Sequence, residues 1–213
     1  LPLVVRSERA TYGAQFGVHE LTTHRNTDAD LAHFEAPALG FTDLSEPGLG
    51  AALLSSTSYG YSAHDGTLTL SLLRAPTDPD PEADQGEHEL AFAIRPHEGD
   101  WRRAGIAREA LAFANPMRLV AGAVPSEPLA TIDSPDLVID TIKRSEDGED
   151  LIVRLHEAHG SRGTARLRTS TPFVEALRTN ALEEGGEPLP LGGDDTVELS
   201  YRPFEILTLR LRP

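Results

Sequence analysis

The sequence is poor in several residue types, and each scarcity narrows the possible functions. It contains no cysteine, a single lysine (Lys143) and a single tryptophan (Trp101). Without cysteine, neither disulfide bonds nor thiolate nucleophiles and metal ligands are available. No apolar run approaches the roughly 20 residues that a transmembrane helix needs, and no signal peptide is visible. We therefore expect no membrane partner.

Positive charge is also scarce. Lysine and arginine together number 19, against 34 aspartate and glutamate residues, which gives a formal net charge of −15. A field of this sign repels phosphate backbones, so we expect no nucleic-acid partner. Hydrophobic residues make up 39% of the 213 residues, as in ordinary folded proteins. The chain opens on Leu1-Pro2-Leu3 without an initiator methionine, and we expect it to begin within a longer protein.

Short apolar runs recur along the chain, most of them with the period of two that is typical of β-strands. The clearest are Thr67–Leu73, Leu90–Ile94, Leu151–Leu155 and Leu207–Leu211. Polar turn sequences such as His64-Asp65-Gly66 and Glu146-Asp147-Gly148 separate such runs. Many short strands joined by polar turns predict an all-β fold of the sandwich type.

One segment has a helical pattern instead. Asp100–Asn115 is rich in alanine, and Ile106, Ala110 and Phe113 form an apolar stripe at spacings of four and three. This pattern predicts one short helix. Asp100 is expected to cap its N-terminus, and Asn115 followed by Pro116 is expected to end it.

The chain is expected to form two domains. The segment Ala123–Pro135 holds three prolines and no long apolar run, which is typical of a linker between domains. Residues 1–127 would then form a larger β-domain. Residues 128–213 would form a small immunoglobulin-like β-sandwich.

Two motifs suggest metal sites, but neither meets the sequence requirements of the metal site that it resembles. The acidic segment 74–89 has alternate acids from Asp78, but the sixth position of the loop is Ala83, where a calcium EF-hand needs glycine. His156 and His159 are three residues apart, whereas a zinc-protease helix needs four. In a strand, residues three apart point to opposite faces. We therefore expect a solvated acidic loop and no metal at either place.

The residues alone do not single out a catalytic centre. Any of the eight histidines is chemically able to act as a general base. Paired carboxylates for glycoside hydrolysis would have to lie about 5 Å apart in a retaining enzyme, which a linear sequence does not reveal. The residues alone therefore indicate an acidic all-β protein and leave its activity open.

The segment Leu72–Trp101 resembles the C-terminal region of glycoside hydrolase family 38 α-mannosidases, in the branch of cytosolic and bacterial enzymes. The resemblance rests on short blocks in the family's order: Leu72-Leu73, Arg74-Ala75-Pro76, Pro79-Asp80-Pro81, Ala83-Asp84, Gly86-Glu87-His88-Glu89 and Pro96-His97-Glu98-Gly99-Asp100-Trp101. Further blocks agree between Ala10 and Leu211, among them Gln15-Phe16-Gly17, Tyr59-Gly60-Tyr61 and Pro203-Phe204-Glu205-Ile206. A series of this kind is more specific than any single motif.

The resemblance implies a fold and a role. Residues 1–127 would be a mutarotase-like β-supersandwich, truncated at its N-terminus, and residues 128–213 the smaller sandwich that follows it. The parent would be a retaining, zinc-dependent exo-α-mannosidase of the cytoplasm, whose zinc and catalytic aspartates belong to an N-terminal barrel. This chain would hold no catalytic residue, no metal and no cofactor, and by itself it would be inactive. Its partners would be that barrel and a mannose-containing oligosaccharide.

The acidic segment is then expected to line the rim of the active site. Arg74, Asp80 and His88 are the candidates for contact with the barrel or with sugar hydroxyls. We expect residues 76–87 to be exposed and mobile in this chain. Two other hypotheses remain: a stand-alone carbohydrate-binding module, which would need exposed aromatic residues, and a mutarotase-like enzyme, which rests on analogy of fold alone.

Overall fold

The computed structural model describes residues 1–119, 121–122, 127–193 and 196–213. The chain divides into two compact units, Leu1–Met117 and Arg118–Pro213. The predicted boundary at residues 127 and 128 stays a prediction, since residues 123–126 lie outside the described part. Within the described residues, no helix has both the length and the apolar character needed to cross a membrane.

The first unit contains eight strands and two helices. They are β1 (Arg9–Ala14), β2 (Gly17–Thr22), α1 (Asp28–Ala32), β3 (Ala36–Pro37), β4 (Phe41–Glu46), β5 (Leu49–Ser55), β6 (Gly60–His64), β7 (Thr67–Ser71), β8 (Phe92–His97) and α2 (Ile106–Ala114). The larger sheet has the order β2-β1-β4-β5-β8, and the smaller one the order β3-β6-β7; their strand pairs are antiparallel. The predicted all-β class is confirmed.

The larger sheet of this unit is covered on both faces. On one face Leu44 and Leu53 join Tyr61 and Leu68 of the smaller sheet in one buried core. On the other face Phe41, Ala52 and Leu54 pack with Trp101, Ile106 and Ala110 in a second core. Successive residues of β5 point to opposite faces of the sheet, and both faces are buried. The apolar run of β5 is therefore continuous.

Helix α2 confirms the predicted stripe but not the predicted cap. Ile106 and Ala110 are buried, and Asn115 is the C-cap. The N-cap is Gly105, in the left-handed region at φ 70°. Asp100 lies one turn too early, where its Oδ1 accepts the backbone N–H of Arg103 at 2.8 Å and closes a separate turn. The prediction was wrong because a capping side chain serves a turn as readily as a helix.

The second unit contains nine strands among its described residues. They are β9 (Ala130–Ile132), β10 (Leu137–Arg144), β11 (Leu151–Glu157), β12 (Gly163–Thr169), β13 (Glu175–Thr179), β14 (Glu187–Pro188), β15 (Leu191–Gly192), β16 (Thr196–Tyr201) and β17 (Ile206–Arg212). Two antiparallel sheets result, with the orders β10-β11-β17-β13-β14 and β15-β16-β12-β9. Alternate residues of β17, Leu207, Leu209 and Leu211, point into the shared core.

Predicted strands and observed strands agree in place, with shifts at their ends. Thr67–Leu73 ends early at Ser71, and Leu90–Ile94 begins late at Phe92. The two runs in the second unit lengthen slightly into β11 and β17. The predicted linker is described from residue 127 onward, and there Ala130–Ile132 is a strand paired with β12.

Candidate functional site

The acidic segment joins β7 to β8 as a long excursion without regular secondary structure. Its residues from 74 to 87 are exposed apart from Ala83, which confirms the expected exposure. Its expected mobility stays a prediction. The excursion carries two non-glycine residues with positive φ, Ala75 and Asp84, and the Asp84 carboxylate accepts the backbone N–H of Ala75 at 2.9 Å. One carboxylate therefore ties the start of the excursion to its far side.

Two of the three candidate residues make local contacts within this excursion. Asp80 Oδ1 accepts the backbone N–H of Glu82 at 2.9 Å. His88 Nε2 lies 2.8 Å from the backbone oxygen of Asp84, which fits an N–H that donates to it. Both side chains are exposed. These contacts shape the loop and leave the remaining polar atoms of both residues facing solvent.

Arg74 is placed differently, because it lies on a groove. The groove encloses about 650 Å³ and is lined by the start of β6, the end of β7 and the residues before β3. Its lining includes Arg74, Glu35, Phe34, Tyr59 and Asp84, but neither Asp80 nor His88. Of the three candidates, the structure brings only Arg74 to this concave surface.

The groove combines opposite charges with aromatic surface. Phe34 and Tyr59 are 67% and 60% exposed, so both rings present apolar surface to solvent. Within the described part of the chain, no carboxylate forms an ion pair with Arg74. A Cβ at Gly60 would lie 1.8 Å from Glu35 Oε1, so glycine at this position is what lets the Glu35 carboxylate rest against β6. Glu35, Phe34 and Tyr59 were not among the candidates predicted from the sequence, since only the strand order β3-β6-β7 brings them to the same groove as Arg74.

A second polar cluster lies beneath the surface of the first unit. His97 Nε2 is 2.7 Å from Asp43 Oδ2, and both side chains are almost fully buried. Ser45 also donates to the Asp43 carboxylate. Burial, which outweighs these hydrogen bonds, raises the pKa of Asp43. Gly50 makes room for the ring, since a Cβ there would lie 2.2 Å from His97 Cε1. This arrangement links β4, β5 and β8.

In the second unit, the two histidines of the rejected zinc motif make separate contacts. His156 Nδ1 lies 2.6 Å from Asp140, whereas His159 Nδ1 lies 2.9 Å from Asp136. The two histidines therefore have different carboxylate partners. Across the described ranges, no group of three or more histidine, aspartate or glutamate side chains is arranged to hold a metal ion.

Two family models match the chain in succession. Residues 1–82 match the glycosyl hydrolases family 38 C-terminal domain, and residues 136–209 match the glycosyl hydrolases family 38 C-terminal beta sandwich domain. Each match falls within one compact unit. Arg74 and Asp80 lie inside the first matched range, and His88 lies beyond it.

Curated relatives are similar along almost the whole chain. Alpha-mannosidase 2C1 of Homo sapiens is 41% identical over 99% of this chain, and alpha-mannosidase G of Dictyostelium discoideum is 35% identical over 97%. The chain spans only about a fifth of the length of these relatives, 21% and 20%.

Solved structures agree on the fold. An alpha-mannosidase from Enterococcus faecalis V583 superposes with a TM-score of 0.75 at 21% identity, over 99% of this chain and 25% of that one. At this identity the likeness speaks for the fold only. Two models of one family match the chain in order, and alpha-mannosidases align with almost its whole length. This chain therefore belongs to glycosyl hydrolase family 38 and comprises its C-terminal β-domains.

Proposed function

We propose that this chain is the C-terminal part of a retaining exo-α-mannosidase that removes terminal α-mannosyl residues from oligosaccharides. The observation that carries the proposal is the similarity of almost the whole chain to α-mannosidases, for example at 41% identity to alpha-mannosidase 2C1 of Homo sapiens. The β-domains would support an N-terminal catalytic barrel in the cytoplasm, and by themselves they would be inactive. Covalent catalysis would then belong to carboxylates of the barrel.

The proposed contribution of this chain is a polar rim. Arg74 is exposed, has no carboxylate partner in the described part of the chain and lines the groove with Glu35. A guanidinium in this position is able to donate paired hydrogen bonds to sugar hydroxyls or to a carboxylate of the barrel. Asp80 and His88 would contribute to the same rim through their solvent-facing polar atoms, at the outer edge of the excursion.

Zinc would not be held by this chain. The histidine–carboxylate contacts of the described residues are pairs, such as His97 with Asp43, and the Asp43 carboxylate also accepts a hydrogen bond from Ser45. A zinc site needs three or four converging ligands. The described residues therefore do not fit a zinc ion, and the proposed cofactor would belong to the barrel.

Activity measurements test the proposal. The 213-residue chain should release no product from an aryl α-mannoside, while the full-length parent should release mannose with retained configuration. In the parent, Arg74→Ala should lower kcat/KM by about 10- to 100-fold, which corresponds to the loss of one charge-assisted hydrogen bond. Arg74→Lys should recover part of this loss. Turnover by the 213-residue chain alone would refute the proposed division of labour.

A matched control separates the rim from general charge effects. Arg166→Ala removes another exposed arginine, which pairs with Glu198 on the surface of the second unit. This variant should retain the parental kcat/KM. An equal loss in both variants would mean that Arg74 acts only through net charge.

Exposed aromatic residues favour a second candidate, a carbohydrate-binding module. Phe34 and Tyr59 both line the groove, and rings so placed are able to stack on sugars. Titration of the 213-residue chain with mannose and mannobiose distinguishes the two functions. If the chain is part of an α-mannosidase, no binding tighter than millimolar is expected. Micromolar binding that is lost in Tyr59→Ala would support the carbohydrate-binding module.

A further inference from the structure

Strand β7 forms the edge of the smaller sheet, and part of this edge is already paired. Leu68 donates its N–H to the oxygen of Leu1 at 3.0 Å and accepts the amino group of Leu1 at 2.7 Å. A bridge between Pro2 and Thr67 continues this antiparallel contact. The first residues of the chain therefore begin a further strand beside β7.

The remainder of this edge is open. In an antiparallel pair, alternate residues direct both backbone groups to the same side. Thr67 and Thr69 face β6, so Leu70 and then Leu72 direct their N–H and C=O groups to the side where Leu1 lies. No described residue pairs with Leu70 there. An unpaired edge of this kind readily accepts another strand.

Apolar side chains lie uncovered beneath the open edge. Ile94 is paired with Leu53 across the larger sheet, and Phe92 with Ser55, so both point to the face that holds the core with Leu68. Strand β6 lies over β4, and β7 lies over β4 and β5. The smaller sheet thus ends before β8, which leaves Phe92 and Ile94 about half exposed.

We propose that the segment immediately N-terminal to Leu1 in the parent protein continues this strand along β7 and covers Phe92 and Ile94. The inference rests on the proposed function, in which the chain is part of a longer enzyme. The register follows from the bridge of Pro2 with Thr67: the residue two positions before Leu1 lies opposite Leu70. Paired residues share a face, so this residue and the one four positions before Leu1 point inward.

The upstream sequence gives the first test. Apolar residues are expected at the second and fourth positions before Leu1. Charged residues at both positions would overturn the inference, because they would be buried against Phe92 and Ile94.

Hydrogen exchange gives the decisive test. The amide of Leu70 should exchange at least 100-fold more slowly in the full-length parent than in the 213-residue chain. Ile94→Lys in the parent should reduce that protection at least tenfold. The control Val174→Lys changes an exposed residue of the second unit and should leave the protection unchanged.

The outcomes separate this inference from the proposed function. If the parent hydrolyses an α-mannoside but its Leu70 amide exchanges as fast as in the 213-residue chain, only the proposed strand is refuted. If the parent lacks this activity but its Leu70 amide is protected, the proposed strand is supported and the proposed activity is refuted. Protection in the 213-residue chain that grows with protein concentration would mean that a second copy occupies the edge, which also overturns the inference.

Discussion

Among the described side chains of the second unit, we expect replacement of Glu157 to lower the free energy of unfolding the most. Glu157 is fully buried at the end of β11. Oε1 accepts the backbone N–H groups of His159 and Ser161 at 2.9 and 3.0 Å, and Oε2 accepts those of Gly160 and Phe204 at 2.9 and 2.8 Å. One side chain therefore holds two separate turns.

Replacement by alanine leaves four N–H groups without this acceptor. Hydrogen bonds to charged groups contribute about 1.5–3 kcal/mol each, and those of a shared acceptor are not additive. We expect Glu157→Ala to lower the free energy of unfolding by ~4 kcal/mol, a large share of the roughly 5–15 kcal/mol of an ordinary domain. Glu157→Gln should cost nearly as much, since its NH₂ group would face two N–H donors.

Urea unfolding measures the effect with an internal reference. The only tryptophan, Trp101, is buried in the first unit, so its fluorescence reports that unit, while far-UV circular dichroism reports both. The variants should shift the dichroism transition and leave the fluorescence transition in place. Glu198→Gln, at a half-exposed position, should cost under about 0.5 kcal/mol. A loss below ~1 kcal/mol in Glu157→Ala would refute the reasoning.

Two titrations give further predictions. Burial raises the pKa of Tyr61 to about 12 from an ordinary 10.0; the unfolded state ionises first, so stability should fall between those pH values, and Tyr61→Phe should flatten the fall in alkaline urea titrations. Hydrogen bonds from Ser145 and Arg210 lower the pKa of Asp147 to about 2 from 3.8. Its contribution is present above pH 3.8 and disappears toward pH 2, so Asp147→Asn should weaken the acid dependence. An unchanged slope in either variant would contradict the assignment.

The strands were predictable because their side chains alternate between core and solvent. Leu207, Leu209 and Leu211 display this alternation in the sequence itself. The ends of elements were less predictable: Asp100 has the chemistry of a helix cap but closes a turn instead. A one-dimensional pattern gives the period of an element and leaves open which turn a polar side chain serves.

The candidate site was predictable only in part. Resemblance led to Arg74, which does line the groove. Glu35 and Tyr59 were not predicted, because their proximity to Arg74 depends on the strand order β3-β6-β7. Asp80 and His88 share the excursion with Arg74 but lie away from the groove, since the loop turns back through the contact of Asp84 with Ala75.

The position of the groove has a consequence for how this surface can diversify. Its lining comes from residues at one end of the smaller sheet, around Glu35, Tyr59 and Leu72, whereas the core of that sheet lies further along the strands at Ala63 and Leu68. Loop residues at such an end tolerate substitution and insertion far better than core residues do. Descendants of this domain could therefore acquire new groove chemistry through the loops around Glu35, Tyr59 and Leu72 while the buried core stays unchanged.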